Sequence, residues 1–392
     1  MSEKIVITGI ARTPMGGFQG VLSDATAPEL GTAAISAAVE RSAIDKALVE
    51  EVIMGCVLPA GQGQAPARQA SLGAGISIGT GCTTINKMCG SGMMTIMLGH
   101  DMLKAGSATV VVAGGLESMT NAPYLLPKSR SGYRMGHQEV IDHMFYDGLQ
   151  DPYSGEMMGF FAEATADKYG FTREQQDAFA IESVSRAQAA AANGAFADEI
   201  TPVTVKTRKG EVEIAADETP GTVNIDKIPT LRPAFRKDGT VTAASSSSIS
   251  DGASALLLMT ASAADRRGLE PVATLVGHSS FAQEPAWFTT SPVAAIKSLH
   301  EKLDWSPDNV DLYEINEAFA VVTMAAMTDI GLDHANVNVN GGACALGHPI
   351  GASGARITTT LLHALQARKL RRGVATLCIG GGEAVAVGVE LI

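Results

Sequence analysis

Thr109-Val110-Val111-Val112-Ala113-Gly114-Gly115 is a run of β-branched and small apolar residues that stops at paired glycines. It has no polar face, so it reads as a strand buried on both sides. The run from residue 374 stops the same way, at Cys378-Ile379-Gly380-Gly381-Gly382. This echo points to a duplicated half. Outward from the first run, residues 5–10 and 52–57 read as strands, and residues 29–41, 66–74 and 93–103 as helices. The last third repeats the pattern. Strands are expected at 271–277, 310–315, 374–378 and 384–391, and helices at 292–303 and 354–366. Strands alternating with helices predict an α/β chain with a mostly parallel sheet covered on both faces.

Between residues 116 and 248 the pattern changes. Loops rich in Pro, Gly, Tyr and Met lead into two helical runs, 163–169 and 173–193. A short antiparallel pair follows over 199–214, with Lys209-Gly210 at its turn. This segment reads as an insertion. The expected organisation is an N-terminal core half over 1–120, an inserted loop domain over 121–248, a return to the first half over 249–270, and a C-terminal half over 271–392.

The net charge of −12 opposes non-specific binding to nucleic acid or membrane surfaces. Five cysteines without framework spacing fit a reducing compartment, and no CxxC or paired Cys/His spacing calls for a metal. The chain enters its first strand at Lys4-Ile5-Val6-Ile7-Thr8-Gly9 with no secretory or transit pattern before it. No stretch reaches the roughly 18 uninterrupted apolar residues of a membrane span. A cytoplasmic location is the expectation.

Four segments carry candidate chemistry. In Asn86-Lys87-Met88-Cys89-Gly90-Ser91-Gly92-Met93 a cysteine precedes a helix between glycines that permit a tight turn and close approach. A helix N-terminus favours negative charge, so the thiol is expected below its reference pKa of about 8.5, as a nucleophile. The alternative is a small buried cysteine in a glycine-rich turn. Asn316-Glu317-Ala318-Phe319-Ala320 lies at a strand's C-terminal end, where open α/β sheets place ligands, although it also suits a helix cap. Gly347-His348-Pro349-Ile350-Gly351 sets a histidine among glycines, where a neutral imidazole can take a proton from a thiol or donate to an oxyanion. The seven other histidines are expected at the surface or on helices. Cys378 stands at a strand end beside exposed backbone N–H groups, or is simply a buried strand cysteine.

Taken together and in order, these motifs resemble the thiolase family. So do Ala11-Arg12-Thr13-Pro14, Gly61-Gln62-Gly63-Gln64, Pro66-Ala67-Arg68-Gln69 and Gly114-Gly115-Leu116-Glu117-Ser118-Met119. The resemblance runs essentially end to end. It implies two similar βαβαβαββ halves in a five-layered αβαβα core with an inserted loop domain, assembled as a homodimer or homotetramer. It implies reversible condensation of two acetyl-CoA into acetoacetyl-CoA and CoA through an acetyl-Cys89 intermediate. Coenzyme A enters as part of the substrate, with no cofactor and no metal.

The resemblance also implies roles. His348 would activate Cys89. Cys378 would take a proton from the methyl of the second acetyl-CoA. Asn316, through a water, and His348 would hold the enolate oxygen. The N–H groups of Cys89 and Gly380 would form the oxyanion hole of the acyl-cysteine. Ser247 would contact the pantetheine arm, and Met158, Phe235, Phe288 and Phe319 would stand near the acyl pocket. Three places depart from the short-chain pattern: Ala244-Ser245, Met157-Met158 where His-Met is frequent, and Trp287 to Pro292 in place of a Met-Gly-rich segment. A broader-range 3-ketoacyl-CoA thiolase of β-oxidation is therefore the alternative. A β-ketoacyl synthase would require a different third residue at Cys378. A non-catalytic lipid-binding relative would be expected to have lost Cys89, His348 or Cys378. A hydrolase would require a G-x-S-x-G elbow, which Gly90-Ser91-Gly92 does not frame.

Overall fold

The computed structural model describes residues 3–208 and 210–392. In chain order its main elements are β1 (Ile5–Arg12), α1 (Ala27–Ser42), β2 (Glu51–Gly55), α2 (Pro66–Gly73), β3 (Gly81–Ile85), α3 (Ser91–Ala105) and β4 (Val110–Ser118). The chain then leaves the sheet for α4 (Met158–Tyr169) and α5 (Arg173–Ala192), and returns as β5 (Ser250–Thr260). The second half is β6 (Ala273–Ala282), α6 (Ser291–Leu303), β7 (Leu312–Ile315), α7 (Ala320–Ile330), α8 (Ser353–Arg368), β8 (Arg372–Ile379) and β9 (Glu383–Leu391).

The strands form one sheet path, β7-β8-β9-β6-β1-β5-β4-β2-β3, with the short arm Gly16–Gly17 on β5. The halves meet along β1 and β6 through only Ile5↔Leu275, Val6↔Thr274 and Ile7↔Ala273. Burial on both faces makes the strands near-continuously apolar, and their alternation sorts side chains into layers. Val6, Val112 and Leu257 face α1 and α2 in one outer layer. Ile7, Val111, Leu258, Leu377 and Val387 face the central layer of α3 and α8. Val374 and Ala386 face α6 and α7 in the other outer layer. The result is an αβαβα arrangement of five layers. The central helix α8 is buried nearly all round, so Ile357→Ala there would cost about 2–5 kcal/mol.

The expectation of a mostly parallel sheet is corrected. Five pairings among the nine main strands are antiparallel, and only β2–β3, β2–β4 and β7–β8 are parallel. The turn at Gly380-Gly381-Gly382 makes β8 and β9 a hairpin, and β5 returns from the insertion to run between β1 and β4. Neither reversal leaves a mark in apolar patterning alone. The strand expected to end at Gly114-Gly115 also continues to Ser118. The glycines serve close approach instead: a Cβ on Gly115 would lie 2.1 Å from the Gly351 carbonyl oxygen. The loop that carries His348 rests directly on this strand.

In the insertion, Val203–Thr207 pairs with Gly210–Ile214. Lys209, expected at the turn, lies outside the described residues. Arg12 of β1 is fully buried, with Nε 2.6 Å from Glu199 Oε1 and its two terminal nitrogens 2.7 and 2.8 Å from Asp217. The clamp fastens the insertion to the core, and removing one partner would cost about 3–5 kcal/mol. Among the described residues no helix is long and apolar enough to cross a membrane.

Candidate active site

Cys89 sits just before α3, whose N-cap is Gly90. The turn is tight enough to hold Met88 at φ 47°, a left-handed conformation costly for a residue with a side chain. It is braced on both sides. Asn86 Oδ1 accepts from Met88 N at 2.9 Å, Ser91 Oγ accepts from Lys87 N at 2.8 Å, and the Ser91 hydroxyl donates to the Met88 carbonyl at 2.6 Å. A Cβ on Gly90 would lie 2.4 Å from Ile379 Cδ1, so the turn packs against the end of β8.

The helix start predicts a Cys89 thiol below its ordinary pKa. The structure corrects this: burial pushes it up to about 11, although the backbone N–H groups of Gly380 and of Cys89 itself act to lower it. The helix terminus is a local feature, whereas Cys89 packs against Leu58, Met119, Met144 and Ile350, which come from separate parts of the chain. A free thiolate is therefore scarce at neutral pH, and any nucleophilic reaction at Cys89 would require a base.

His348 is buried in the loop before α8, and its backbone N–H donates to the Ser248 carbonyl at 3.1 Å. Its Nδ1 is 2.5 Å from Ser353 Oγ, and the Ser353 hydroxyl donates its one proton to the Pro349 carbonyl at 2.9 Å. Ser353 can then only accept, so Nδ1 carries the ring proton and Nε2 presents a lone pair. Nε2 is buried with no protein partner. Burial, with Arg356 adding to it, lowers the imidazole pKa to about 3, which keeps it neutral. Asn316 is fully buried, its Nδ2 lies 3.5 Å from His348 Nδ1, and its Oδ1 has no protein partner.

Cys378 is fully buried in β8, packed in a cluster with Phe161, Phe288 and Phe319. Burial, and then the nearby Cys89 charge, push its pKa well above the ordinary thiol value. A cavity of about 390 Å³ opens over Cys89, and His348, Gly380, Ser247, Met158, Phe235, Phe288 and Phe319 line it. Asn316 and Cys378, both fully buried, are not among the residues that line it. The aromatics brace one another edge to face, Phe235 on Phe319 with centroids 5.9 Å apart and Phe161 on Phe288 at 6.2 Å. Ser247 donates its hydroxyl to the Ala318 carbonyl at 3.1 Å. Of the three departures, Met157 lines the cavity beside Met158, whereas Ser245 is buried and hydrogen-bonded within its own turn to Thr242.

Two supporting residues escape a reading of the sequence alone. Ser353, which orients His348, is signalled only by a hydroxyl five residues after the histidine. Glu117 is fully buried and accepts from Val57 N, Leu58 N and Gly351 N at 2.9, 3.1 and 2.8 Å. It ties a loop of the first half to the His348 loop of the second. Its signal is a lone carboxylate in an apolar strand. Of the remaining histidines, His100 on α3 and His300 on α6 are helical, as expected, and both are buried, as is His143.

Residues 5–262 match the family model described as thiolase, N-terminal domain, and residues 269–391 that described as thiolase, C-terminal domain. An acetyl-CoA acetyltransferase of Pseudomonas aeruginosa is 48% identical over 388 residues, 98% of each chain. One from Cupriavidus necator is 47% identical over 388 residues, 98% of this chain and 99% of the relative. The crystal structure of the Bacillus anthracis acetyl-CoA acetyltransferase superposes with a TM-score of 0.97 at 41% identity, covering 100% of this chain and 99% of that one.

Proposed function

The chain belongs to the thiolase family, and from that premise we propose that it is an acetyl-CoA C-acetyltransferase, joining two acetyl-CoA into acetoacetyl-CoA and CoA and running thiolysis in reverse. His348 Nε2 takes the Cys89 proton as the sulfur attacks the acetyl thioester. The N–H groups of Cys89 and Gly380 receive the developing oxyanion, and CoA leaves with the proton. In the second half-reaction the Cys378 thiol passes its proton to His348 Nε2, and the resulting thiolate removes a methyl proton from the next acetyl-CoA. His348, now protonated at Nε2, and a water on Asn316 Oδ1 hold the enolate oxygen while its carbon attacks acetyl-Cys89, and the departing Cys89 sulfur takes the Nε2 proton. The dry, aromatic wall keeps water from the thioester and from the carbanion.

The observation that carries this reading is the pair of backbone N–H groups, of Gly380 and Cys89, that act on the Cys89 sulfur in a cavity also lined by His348, whose Nε2 has no protein partner. Phe288 and Phe319 support a two-carbon acyl group, since each added methylene meets a rigid ring. The reading includes a cytoplasmic setting, supported by five free cysteines, and a homodimer or homotetramer. The test is thiolysis of acetoacetyl-CoA against 3-ketooctanoyl-CoA. A clear preference in kcat/KM for acetoacetyl-CoA is expected. Equal values would instead assign a broad-range 3-ketoacyl-CoA thiolase.

A further inference from the structure

Far from the acyl cavity, α3 and β6 bring together two imidazoles and a carboxylate. Asp101 Oδ1 lies 2.9 Å from His100 Nδ1 and 2.9 Å from His278 Nε2. The two rings meet edge to face with centroids 5.0 Å apart. One atom from each residue falls within 4.8 Å of the others. Along α3, His100 is nine residues past Ser91, roughly 14 Å at 1.5 Å per residue, so the cluster belongs to no part of the reaction.

We propose that His100, Asp101 and His278 form a binding site for a divalent transition-metal ion, of which zinc is the type. Two nitrogens and one oxygen are a donor set that such ions take at about 2.0–2.2 Å, which puts neighbouring donors about 3.0–3.5 Å apart. The two separations to Asp101 Oδ1 need only a small opening to reach that. Metal replaces the two N–H···O bonds to Asp101, and the ring protons move to His100 Nε2 and His278 Nδ1. His100 Nε2 is buried without a partner in either tautomer, so the switch breaks no bond there. Asp101 is 59% exposed at its side chain, which leaves the remaining coordination positions to water. Lys104, next along α3, and Lys302, whose Nζ donates to the His278 carbonyl at 3.1 Å, oppose a cation. A moderate affinity follows, weaker than that of a closed structural site. Bound metal would staple α3 to β6, the strand at the junction of the halves.

The test is titration of zinc chloride into the full chain by calorimetry, for wild type, Asp101→Asn and His278→Gln. Zinc taken by active-site thiols is common to all three proteins and cancels in the comparison. Wild type should bind one equivalent more than either variant, or bind it at least tenfold more tightly, and zinc should raise the Tm of wild type alone. All three should keep the same acetoacetyl-CoA thiolysis rate in metal-free buffer, which certifies the fold. Asp101→Asn changes an exposed side chain, so it serves even where His278→Gln unfolds. Identical zinc isotherms for wild type and Asp101→Asn, or no uptake by wild type at millimolar zinc, would overturn the site.

Discussion

Replacing Ser353 with alanine is a sharp probe of the proposed base His348, because it touches neither substrate nor the reacting atoms. The hydroxyl accepts the His348 Nδ1 proton at 2.5 Å and donates to the Pro349 carbonyl at 2.9 Å, in a fully buried setting. Without it, an Nδ1–H is left buried and unpaired, at a cost of about 1–3 kcal/mol. The ring can escape that cost by moving its proton to Nε2, but Nε2–H cannot accept the Cys89 proton. At about 1.4 kcal/mol per tenfold, the fraction of base-competent imidazole falls roughly 5- to 150-fold. Exchange of acetyl between acetyl-CoA and free CoA reads this step alone. We expect kcat for exchange to fall by that factor while KM moves little, and Ser353→Thr to recover part of the loss. Exchange within twofold of wild type in a folded Ser353→Ala enzyme would refute the tautomer argument.

Cys378→Ser should keep acetyl exchange but lose condensation and thiolysis by about 10²–10⁴-fold; wash-in of deuterium at the acetyl-CoA methyl at the wild-type rate would pass the base role elsewhere. Since burial holds the Cys89 pKa at about 11, its alkylation by iodoacetamide should keep accelerating past pH 9, and acetyl-CoA should protect it; a plateau near pH 8 would show a thiol of ordinary acidity. Glu314, buried beside Arg356 at 3.9 Å, has its pKa raised to about 8 by burial, so its contribution to stability is present below its unfolded value of 4.5 and is lost as pH rises through 8. Urea midpoints at pH 5, 6, 7 and 8 should therefore fall more steeply for wild type than for Glu314→Gln, and parallel curves would show that Glu314 is not buried as described. Gly115→Ala should lower activity and stability together, since its Cβ must displace the Gly351 carbonyl in the loop that carries His348.

The sequence was most legible where one interaction dominates. Uniform burial of β4 and β8 on both faces wrote itself as apolar runs leading into paired glycines, so the alternation of strands and helices and the echo between halves could be read directly. Strand direction could not, because β5 returns after a long insertion and only the hairpin at Gly380 to Gly382 reverses β8 into β9. At Cys89 the start of a helix is visible in the chain itself, but burial beneath residues far along the chain outweighs it. Glu117 and Ser353 carry no spacing rule; each matters for the backbone it meets in three dimensions. His100-Asp101 and His278 are in the same position, since their meeting depends on how α3 packs near β6.

The central claim is that the acyl group passes through Cys89 while Cys378 waits for the second substrate. Quenching Cys378→Ser enzyme after mixing with acetyl-CoA, then mapping its peptides by mass spectrometry, tests that claim most directly. One acetyl group per chain on the peptide containing Cys89, discharged on adding free CoA, is the predicted result. Acetyl on Cys56, Cys82 or Cys344 instead, or no acetyl-enzyme although acetyl exchange proceeds, would contradict it.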